Sequence, residues 1–391
     1  MGVVLAPANG TGAAAALIRA GAREVYWGFH DPAWTEHFGT WEFLNRMSPF
    51  GPEANSLDFD DLLAEIAACR ALPDSPATPD QPAAPDPQAG STAPAIPDPP
   101  AGSTEPAAPD PPAAPDPQAT LDPQAGSTAP EAPPLALWCT FNSPHYTPAQ
   151  RNWIASRYLP ALADAGATGI IVSGPQLIGP AREVGLEAAA STMCSVYNAD
   201  LARFYRDAGA SRVILPRDLT LDEIASITAS TDGLDYEVFL MRNGCPYADS
   251  HCLGLHRAGC PSLCRSLRTA GWTEIDDTAP ATVSAVPPAH IAERLESGAI
   301  WRETFHECAC GQCALWRLER CGVHAYKVVG RGDALADLTA DVALTAANIA
   351  TAAGCATEAA YHEQMSRPEW LLSACADDGL SCYYPESRCL A

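Results

Sequence analysis

Fifteen cysteines in a chain of 391 residues are the strongest chemical signal in the sequence. The first group, Cys245, Cys252, Cys260 and Cys264, falls within 20 residues with the spacing C-x6-C-x7-C-x3-C. Thiolates are soft ligands, and four of them suit zinc or an iron–sulfur cluster. The spacing matches neither paired C-x2-C zinc knuckles nor the ferredoxin run. The group therefore predicts a metal centre but leaves the metal open.

A second group of cysteines follows within 14 residues and is preceded by a histidine. Its density again favours a metal site. One or more of its members could instead complete the first site if Cys264 does not ligate. The second-site candidates are Cys308, Cys310, Cys313 and Cys321.

A third set, Cys375, Cys382 and Cys389, lies near the end of the sequence and could hold a cluster together with Cys355. The total number of cysteines is odd. In a reducing compartment, clustered thiols are more often metal ligands than disulfides. Metal binding is therefore the reading we favour for the clustered cysteines, with a second cluster as an open alternative.

The elements that must position these thiols follow a repeated pattern at 20–26, 165–171 and 208–214. In each, a predicted helix ends at a glycine, which accepts the left-handed cap conformation, and a short buried strand follows. Such alternation predicts an α/β fold, a TIM-type (β/α)8-like barrel, with a doubly wound open sheet as the competitor. Strands are predicted at 3–6, 24–27, 135–141, 169–172, 187–190, 212–215, 236–240 and 324–329, and helices at 12–20, 57–70, 148–165, 175–184, 198–208, 220–229 and 335–353.

Residues 73–134 interrupt this pattern with 20 of the 37 prolines, nine acidic residues, no Lys or Arg and no aromatic residue. Such a composition buries too little apolar area to offset the entropy of ordering the chain. We expect a disordered Pro-rich insertion there. The barrel is then assigned to 1–72 and 135–354, and a Cys-containing C-terminal extension to 355–391.

The formal net charge of -24 bears on possible partners. A surface this acidic repels phosphate backbones and anionic lipids, so direct nucleic-acid binding is disfavoured. No apolar run approaches the ~20 residues of a spanning helix, and no signal-peptide pattern opens the sequence. We expect a cytoplasmic protein without a membrane span.

Polar residues at predicted strand ends would line the mouth of such a barrel, where active sites are built. Asn142, Ser191 and Thr192 directly follow predicted strands. Arg217 could grip a carboxylate or phosphate with two hydrogen bonds, or form a structural ion pair. Lys327 is the only lysine beside 22 arginines, which singles it out as a tunable ammonium. These five residues are the substrate-pocket candidates; no catalytic residue is assigned.

Six stretches of the sequence, at 4–8, 20–28, 190–193, 209–224, 237–239 and 327–331, follow one another in an order that resembles the U32 peptidase family, the collagenase-like group. That family also includes iron–sulfur proteins of oxygen-independent ubiquinone hydroxylation and of RNA hydroxylation. The last stretch, KVVGR, looks like the family's K-x-x-G-R element, and the closing G-x-C-x-x-x-C-R of the cysteine loop is similar as well.

The resemblance implies a barrel and, for its hydroxylating members, a 4Fe–4S cluster on four cysteines, here matched by Cys245, Cys252, Cys260 and Cys264. It also implies an electron donor and an oligomer with itself or with another U32-like subunit. The second and third cysteine groups are not part of the family pattern. Zinc remains the alternative metal.

The sequence and its resemblance to the U32 family leave three hypotheses for the function. The leading hypothesis is an iron–sulfur enzyme that hydroxylates or otherwise modifies a small cyclic or nucleobase substrate without molecular oxygen. The second is a collagenase-like peptidase, although the sequence has neither a G-x-S-x-G elbow nor an H-E-x-x-H pair. The third is a non-catalytic binding module in which zinc stabilises the fold.

Overall fold

Eight parallel strands close into a barrel in the part of the chain that the structure describes. This computed structural model describes residues 1–39, 42–46, 55–72, 133–242, 244, 309–368, 371 and 382–389, and the backbone of 272–274 and 282–284. The strands are β1 Val3–Pro7, β2 Glu24–Trp27, β3 Ala136–Phe141, β4 Gly169–Val172, β5 Glu187–Ala190, β6 Arg212–Ile214, β7 Asp235–Met241, β8 Trp272–Glu274, β9 Thr282–Ser284 and β10 Ala325–Val328.

The barrel order is β1-β10-β7-β6-β5-β4-β3-β2, and β1 pairs with both β10 and β2. In this closing register Leu5 lies beside Lys327 on one side and beside Glu24 on the other. The predicted TIM-type barrel is therefore confirmed, and each of the eight predicted strands is present. Strands β8 and β9 form a separate antiparallel pair that the sequence analysis did not anticipate.

Helices follow most strands and cover the outside of the barrel, as the alternation of the sequence predicts. Three short helices were missed, namely α2, α9 and α11. The helices are α1 Ala13–Arg19, α2 Pro32–Phe38, α3 Phe59–Arg70, α4 Pro148–Trp153, α5 Leu159–Asp164, α6 Ile178–Glu183, α7 Ala199–Asp207, α8 Leu221–Ala229, α9 Leu315–Arg320, α10 Leu335–Gly354 and α11 Glu358–Gln364.

The helix predicted at 148–165 contains a turn of π-helix, Ile154–Tyr158, between α4 and α5. Pro160 follows this turn and has no N–H to donate to the carbonyl four residues earlier. Wide turns of this kind are a common way to accommodate a missing helical hydrogen bond. The start of α4 is fixed by a capping box, in which the Thr147 side chain and Gln150 each accept from the other's backbone N–H.

A network of buried charges fills the interior at the amino-terminal half of the barrel. Arg212 donates to Glu24 at 2.7 Å and lies 3.4 Å from Glu237, and Lys327 Nζ donates to Glu237 Oε1 at 2.7 Å. His324 lies 3.2 Å from Glu24 and is partly exposed at the barrel base. Burying a charge costs several kcal/mol unless it is paired, so these residues depend on one another.

Although burial raises it, the hydrogen bonds from Arg212 and His324 lower the pKa of Glu24 to about 2. The carboxylate is therefore ionised across the physiological range. Trp138 donates its indole N–H to the same carboxylate at 3.1 Å and packs its ring 4.7 Å from the Arg212 guanidinium. The barrel interior thus combines ion pairs with aromatic packing.

The described parts of the C-terminal extension pack on the barrel. The buried Tyr384 donates its hydroxyl hydrogen to the carbonyl of Phe239 in β7 at 3.0 Å. Glu386 accepts from the backbone N–H of Leu221 at 2.7 Å and so caps the start of α8. Residues 73–132 of the predicted insertion lie outside the described residues.

Candidate functional site

The predicted pocket residues gather at the carboxyl end of the barrel. Asn142 follows β3, Ser191 and Thr192 follow β5, and all three are buried. Asn142 accepts from the backbone N–H of Arg46 at 3.3 Å, which ties the loop after α2 to the end of β3. Ser191 accepts from the backbone N–H of Met193 and starts a 3₁₀ turn. Three of the five candidates therefore shape the mouth through backbone contacts.

Lys327 reaches into the middle of the barrel from β10. Its ammonium binds Glu237 and lies 4.0 Å from the ring centroid of Tyr26, a cation–π contact. Burial lowers the pKa of Lys327, and the nearby carboxylate of Glu237 opposes that shift. An ammonium has three donors and Glu237 takes one of them. Lys327 is thus a buried acid whose proton is easier to give up than that of a solvated lysine.

Arg331 is the central residue of the mouth, although the sequence analysis did not select it as a site residue. It lies three residues beyond the end of β10 and is buried. Its guanidinium donates to three neutral side-chain oxygens, at 3.2 Å to Thr140 and at 3.3 Å each to Asn45 and Asn55. Burial lowers the pKa of Arg331 to about 10. The KVVGR stretch was the signal that could have pointed to it.

Gly28, immediately after β2, makes room for this guanidinium. A Cβ built on Gly28 would overlap Nη1 of Arg331 and Oδ1 of Asn55. The glycine is therefore required by the close approach of a side chain and not by its own backbone angles. Asn45 donates to Asn55 at 3.1 Å, which links the two amides that hold Arg331.

Three arginines act on the hydroxyl of Tyr26 from around the mouth. Burial raises the pKa of Tyr26, whereas the positive charges of Arg331, Arg46 and Arg217 each lower it. Arg217 lies over the ring of Phe239 at 3.7 Å from its centroid. Together with Lys327, these cations concentrate positive charge in a chain whose formal net charge is -24. Such a mouth suits a carboxylate or phosphate group.

The first cysteine group lies outside the described residues, but the base of its loop is visible. The chain leaves the barrel after Met241 and returns at Ala309, where the N–H of Arg242 donates to the carbonyl of Ala309 at 2.6 Å. Cys310 pairs with Met241 in the antiparallel sense. The cysteine loop therefore starts and ends at the carboxyl end of β7. Cys245, Cys252, Cys260 and Cys264 themselves, and Cys308, are not described.

The second group is divided by the structure. Cys313 lies in a 3₁₀ turn before α9, whereas Cys321 follows the last residue of that helix. The six residues of α9 lie between them and span about 9 Å, so the two thiols stand at opposite ends of this helix. Cys310 and Cys313 instead lie beside the third group, since Cys310 pairs with Cys382 and Cys313 Sγ lies 3.1 Å from Cys389 Sγ.

Neither a metal-ligand group nor a membrane-spanning helix is present among the described residues. No three His, Cys, Asp or Glu side chains among them are grouped so that they could hold a metal ion. No helix in the same part of the chain is long and apolar enough to cross a membrane. Among the described residues, the thiols of Cys313 and Cys389 are in contact, with 3.1 Å between their sulfur atoms.

Known proteins resemble this chain in sequence. A family model described as Peptidase family U32 matches residues 136–369. The tRNA hydroxylation protein P1 of Bacillus subtilis (strain 168) is 31% identical over 118 residues, which are 28% of this chain and 28% of that protein. The chain therefore matches less than a third of the length of this relative.

Solved structures resemble it more distantly. The U32 peptidase Mk0906 aligns with a TM-score of 0.32 and 13% identity over 50% of this chain and 70% of that one. A 2,3-dimethylmalate lyase aligns with a TM-score of 0.35 and 10% identity over 96% and 91%. At these scores neither likeness bears on the function.

Proposed function

The chain belongs to peptidase family U32, and from this premise we propose that it is an enzyme that hydroxylates, or otherwise modifies, a small cyclic or nucleobase substrate without molecular oxygen. The substrate would carry a carboxylate or phosphate. The similarity to a protein named for tRNA hydroxylation supports the type of reaction. The buried guanidinium of Arg331, held only by neutral partners among the described residues, supports the charge of the substrate.

The observation that carries the proposal is the position of Arg242 and Ala309, the described residues at the two ends of the cysteine segment. The loop leaves from Arg242 and returns at Ala309, at the same end of the barrel as Arg331. A centre held by this loop would therefore lie at the end of the barrel where the cationic side chains gather. TIM-type barrels build their active sites on this face.

A 4Fe–4S cluster fits the donors present, because Cys245, Cys252, Cys260 and Cys264 offer four soft thiolates. When bound, it would supply electrons at the mouth of the barrel. Cys310 lies beside Met241 where the loop returns, so it stays open that Cys310 takes the place of Cys264. A second cluster and zinc remain the alternatives to this assignment.

The side chains of the mouth would have separate tasks. Arg331 and Arg217 would bind the anionic group, since guanidinium groups match carboxylate and phosphate geometry. Lys327 would donate a proton to a developing negative charge, because burial has lowered its pKa while Glu237 holds it in place. Tyr26 would orient the Lys327 ammonium through the face of its ring.

Partners follow from this chemistry. A reaction without molecular oxygen needs an electron donor or acceptor, and a second U32-like subunit would be a suitable neighbour. The acidic chain disfavours direct binding of a large RNA. If the modified base lies in RNA, a partner must supply the positive surface.

The test is anaerobic purification followed by iron and sulfide quantitation. We expect about four iron and four sulfide per chain in the wild type, as for one 4Fe–4S cluster, and less than half of that in Cys245→Ala. The control Cys69→Ala removes a buried thiol on α3 and should keep the full content. Iron-free, colourless wild-type protein would contradict the proposal. Zinc at one per chain without a redox signal would select the binding module.

The collagenase-like peptidase remains the second candidate because the family carries that name. The serines of the mouth give it no support. Ser173 donates to the backbone carbonyl of Ser143, and Ser191 accepts from a backbone N–H, so both are engaged in loop structure. Peptide cleavage that survives Cys245→Ala would favour the peptidase.

A further inference from the structure

Two thiols from distant parts of the chain meet at one place on the barrel. Cys313 Sγ and Cys389 Sγ are 3.1 Å apart, although 76 positions separate them in the sequence. A disulfide bond requires about 2.05 Å between the sulfur atoms, so the two thiols lie about 1 Å beyond bonding distance. Neither thiol belongs to the loop that starts after Met241.

The first thiol is held by a well-anchored turn. Gln312, its neighbour, is fully buried and donates to Thr345 at 2.7 Å, and Asn348 donates to Gln312 at 3.1 Å. The backbone carbonyl of Gln312 accepts from the hydroxyl of Tyr361 at 2.7 Å. These contacts to α10 and α11 fix the position of Cys313.

The second thiol belongs to Cys389, the last residue of segment 382–389. Individual hydrogen bonds hold this segment on the barrel. Tyr383 donates its N–H to the carbonyl of Cys310 at 2.9 Å, and Ser387 donates to Glu358 at 3.0 Å. With the contacts of Tyr384 and Glu386 described above, the segment is held to β7, α8 and α11 by hydrogen bonds and by two buried tyrosine rings. No covalent bond secures it.

The surroundings favour a reactive thiol at Cys389. The guanidinium of Arg367 hydrogen-bonds to the Cys389 thiol, and His362 lies nearby. Both sulfur-bearing residues are partly exposed, which small reagents need. Reactive cysteines occupy such electropositive, partly exposed positions.

Four other described cysteines, Cys69, Cys139, Cys194 and Cys321, differ from this pair. Cys69, Cys139 and Cys194 are buried, and burial raises the pKa of Cys69 and of Cys194 to about 12. They are inert core residues. Cys321 is partly exposed like Cys313, but burial raises the pKa of its thiol, with the charge of Arg317 opposing the shift.

We propose that Cys313 and Cys389 form a redox-active dithiol, which closes to a reversible disulfide and fastens segment 382–389 to the barrel. The oxidant is a small-molecule disulfide. The Cys389 thiolate attacks one of its sulfur atoms, forms a mixed disulfide and releases one small thiolate. The Cys313 thiol then loses its proton and attacks the sulfur of Cys389, which releases the second small thiolate. Two protein thiols are oxidised, and one small disulfide is reduced to two thiols.

The experiment maps thiols by mass spectrometry and does not depend on the proposed activity. Full-length protein is reduced, equilibrated anaerobically with mixtures of glutathione and glutathione disulfide, alkylated and digested with trypsin. We expect the fragment 303–317, which contains Cys313, to be joined to the fragment that starts at Cys389. The linked fraction should rise from below one tenth to above one half as the mixture becomes more oxidising, and it should fall again on reduction.

Matched variants show which cysteine is linked to Cys389 and which of the two thiols reacts first. Cys313→Ser should stop at the mixed disulfide and accumulate glutathione on Cys389. The fragment also contains Cys308 and Cys310. Cys308→Ser and Cys310→Ser should each keep the linkage, which excludes them as the partner of Cys389. Cys321→Ser, just beyond the other end of α9, is the control and should match the wild type in every mixture.

Three outcomes would overturn the inference. Both thiols could be alkylated in every mixture, or Cys389 could be linked to a cysteine other than Cys313. The protein could also retain a metal ion that Cys313→Ser and Cys389→Ser each release, which would make the two thiols metal ligands. Loss of the cluster from Cys245→Ala would leave the disulfide result unchanged, so failure of the two proposals can be told apart.

Discussion

Gly28 and Arg331 share one space at the carboxyl end of the barrel. The guanidinium of Arg331 lies where a Cβ on residue 28 would be, and its partners Asn45, Asn55 and Thr140 hold it there. A glycine after one strand and an arginine after another are thus parts of a single arrangement. Substitution of either residue should disturb the other.

Gly28→Ala tests this relationship. The added methyl group must displace a buried guanidinium, and overpacking of this kind costs about 1–3 kcal/mol. Gly179→Ala is the control, because a Cβ there meets nothing within 4 Å and alanine suits its helix, α6. Urea denaturation measures the free energy of unfolding of both variants. Equal effects of the two substitutions would show that Arg331 does not occupy this space in solution.

Anion binding at the mouth can be measured without knowing the substrate. Malonate and inorganic phosphate, compared with chloride at equal ionic strength, should raise the Tm of the wild type by about 2–4 °C if binding contributes about 1 kcal/mol. In Arg331→Gln the rise should vanish. The comparison is made within each variant, so the variant's own stability cancels.

Arg203→Gln is the matched control for that experiment. Arg203 lies on α7 outside the barrel, pairs with Asp200 and is 40% exposed. Its loss should leave the anion-dependent rise in Tm intact. An equal rise in wild type and Arg331→Gln would place anion binding elsewhere.

Glu237→Gln should be strongly destabilising. Glu237 is 1% exposed and its carboxylate serves both Lys327 and Arg212, so its neutralisation leaves buried positive charge uncompensated. Breaking a buried pair in this way costs about 3–5 kcal/mol. Asp235→Asn is the control in the same strand, since Asp235 is 51% exposed and 3.9 Å from Arg212. Its loss should cost no more than about 1 kcal/mol.

Chemical denaturation at neutral pH compares these two variants. A similar, small loss in both would mean that the interior charges are well solvated. Because Glu237 fixes Lys327, we also expect the Glu237→Gln protein to lose any activity that depends on the Lys327 ammonium.

Acid pH should destabilise the fold through Glu24. The pKa of Glu24 is lowered from 4.5 to about 2 in the folded chain, so its contribution is fully present above pH 4.5 and is lost as the pH falls toward 2. A shift of this size corresponds to about 3 kcal/mol. The free energy of unfolding, measured between pH 5 and pH 2, should fall less steeply in Glu24→Gln than in the wild type. Identical slopes would contradict the assignment.

The barrel could be predicted from the sequence because the patterns that indicate its strands and helices are local. Glycine-capped helix ends followed by short buried runs, as at Ala208–Ile214, mark three of the strands within a few residues. Helix α2 was missed although it has seven residues, the same length as the correctly predicted α1. The interruption between α4 and α5 depends on Pro160, whose effect within a helix the pattern alone does not show.

The candidate site could be predicted from the sequence only in part, for a physical reason. Asn142, Ser191 and Lys327 follow from topology, since strand ends of a barrel meet at one face. Arg331 depends on Asn45 and Asn55, which lie in a loop without periodicity. The contact between Cys313 and Cys389 depends on how the C-terminal segment packs on the barrel. The spacing of cysteines in the sequence does not predict that packing.

The backbone hydrogen bond between Arg242 and Ala309 bears on how freely the cysteine segment between them can vary. These two residues are the ends of the segment that contains the cysteine loop, and their hydrogen bond joins them at the carboxyl end of β7. We therefore expect β7 to tolerate a longer, shorter or different segment between them. New reactivity can be grafted onto this scaffold without rebuilding it.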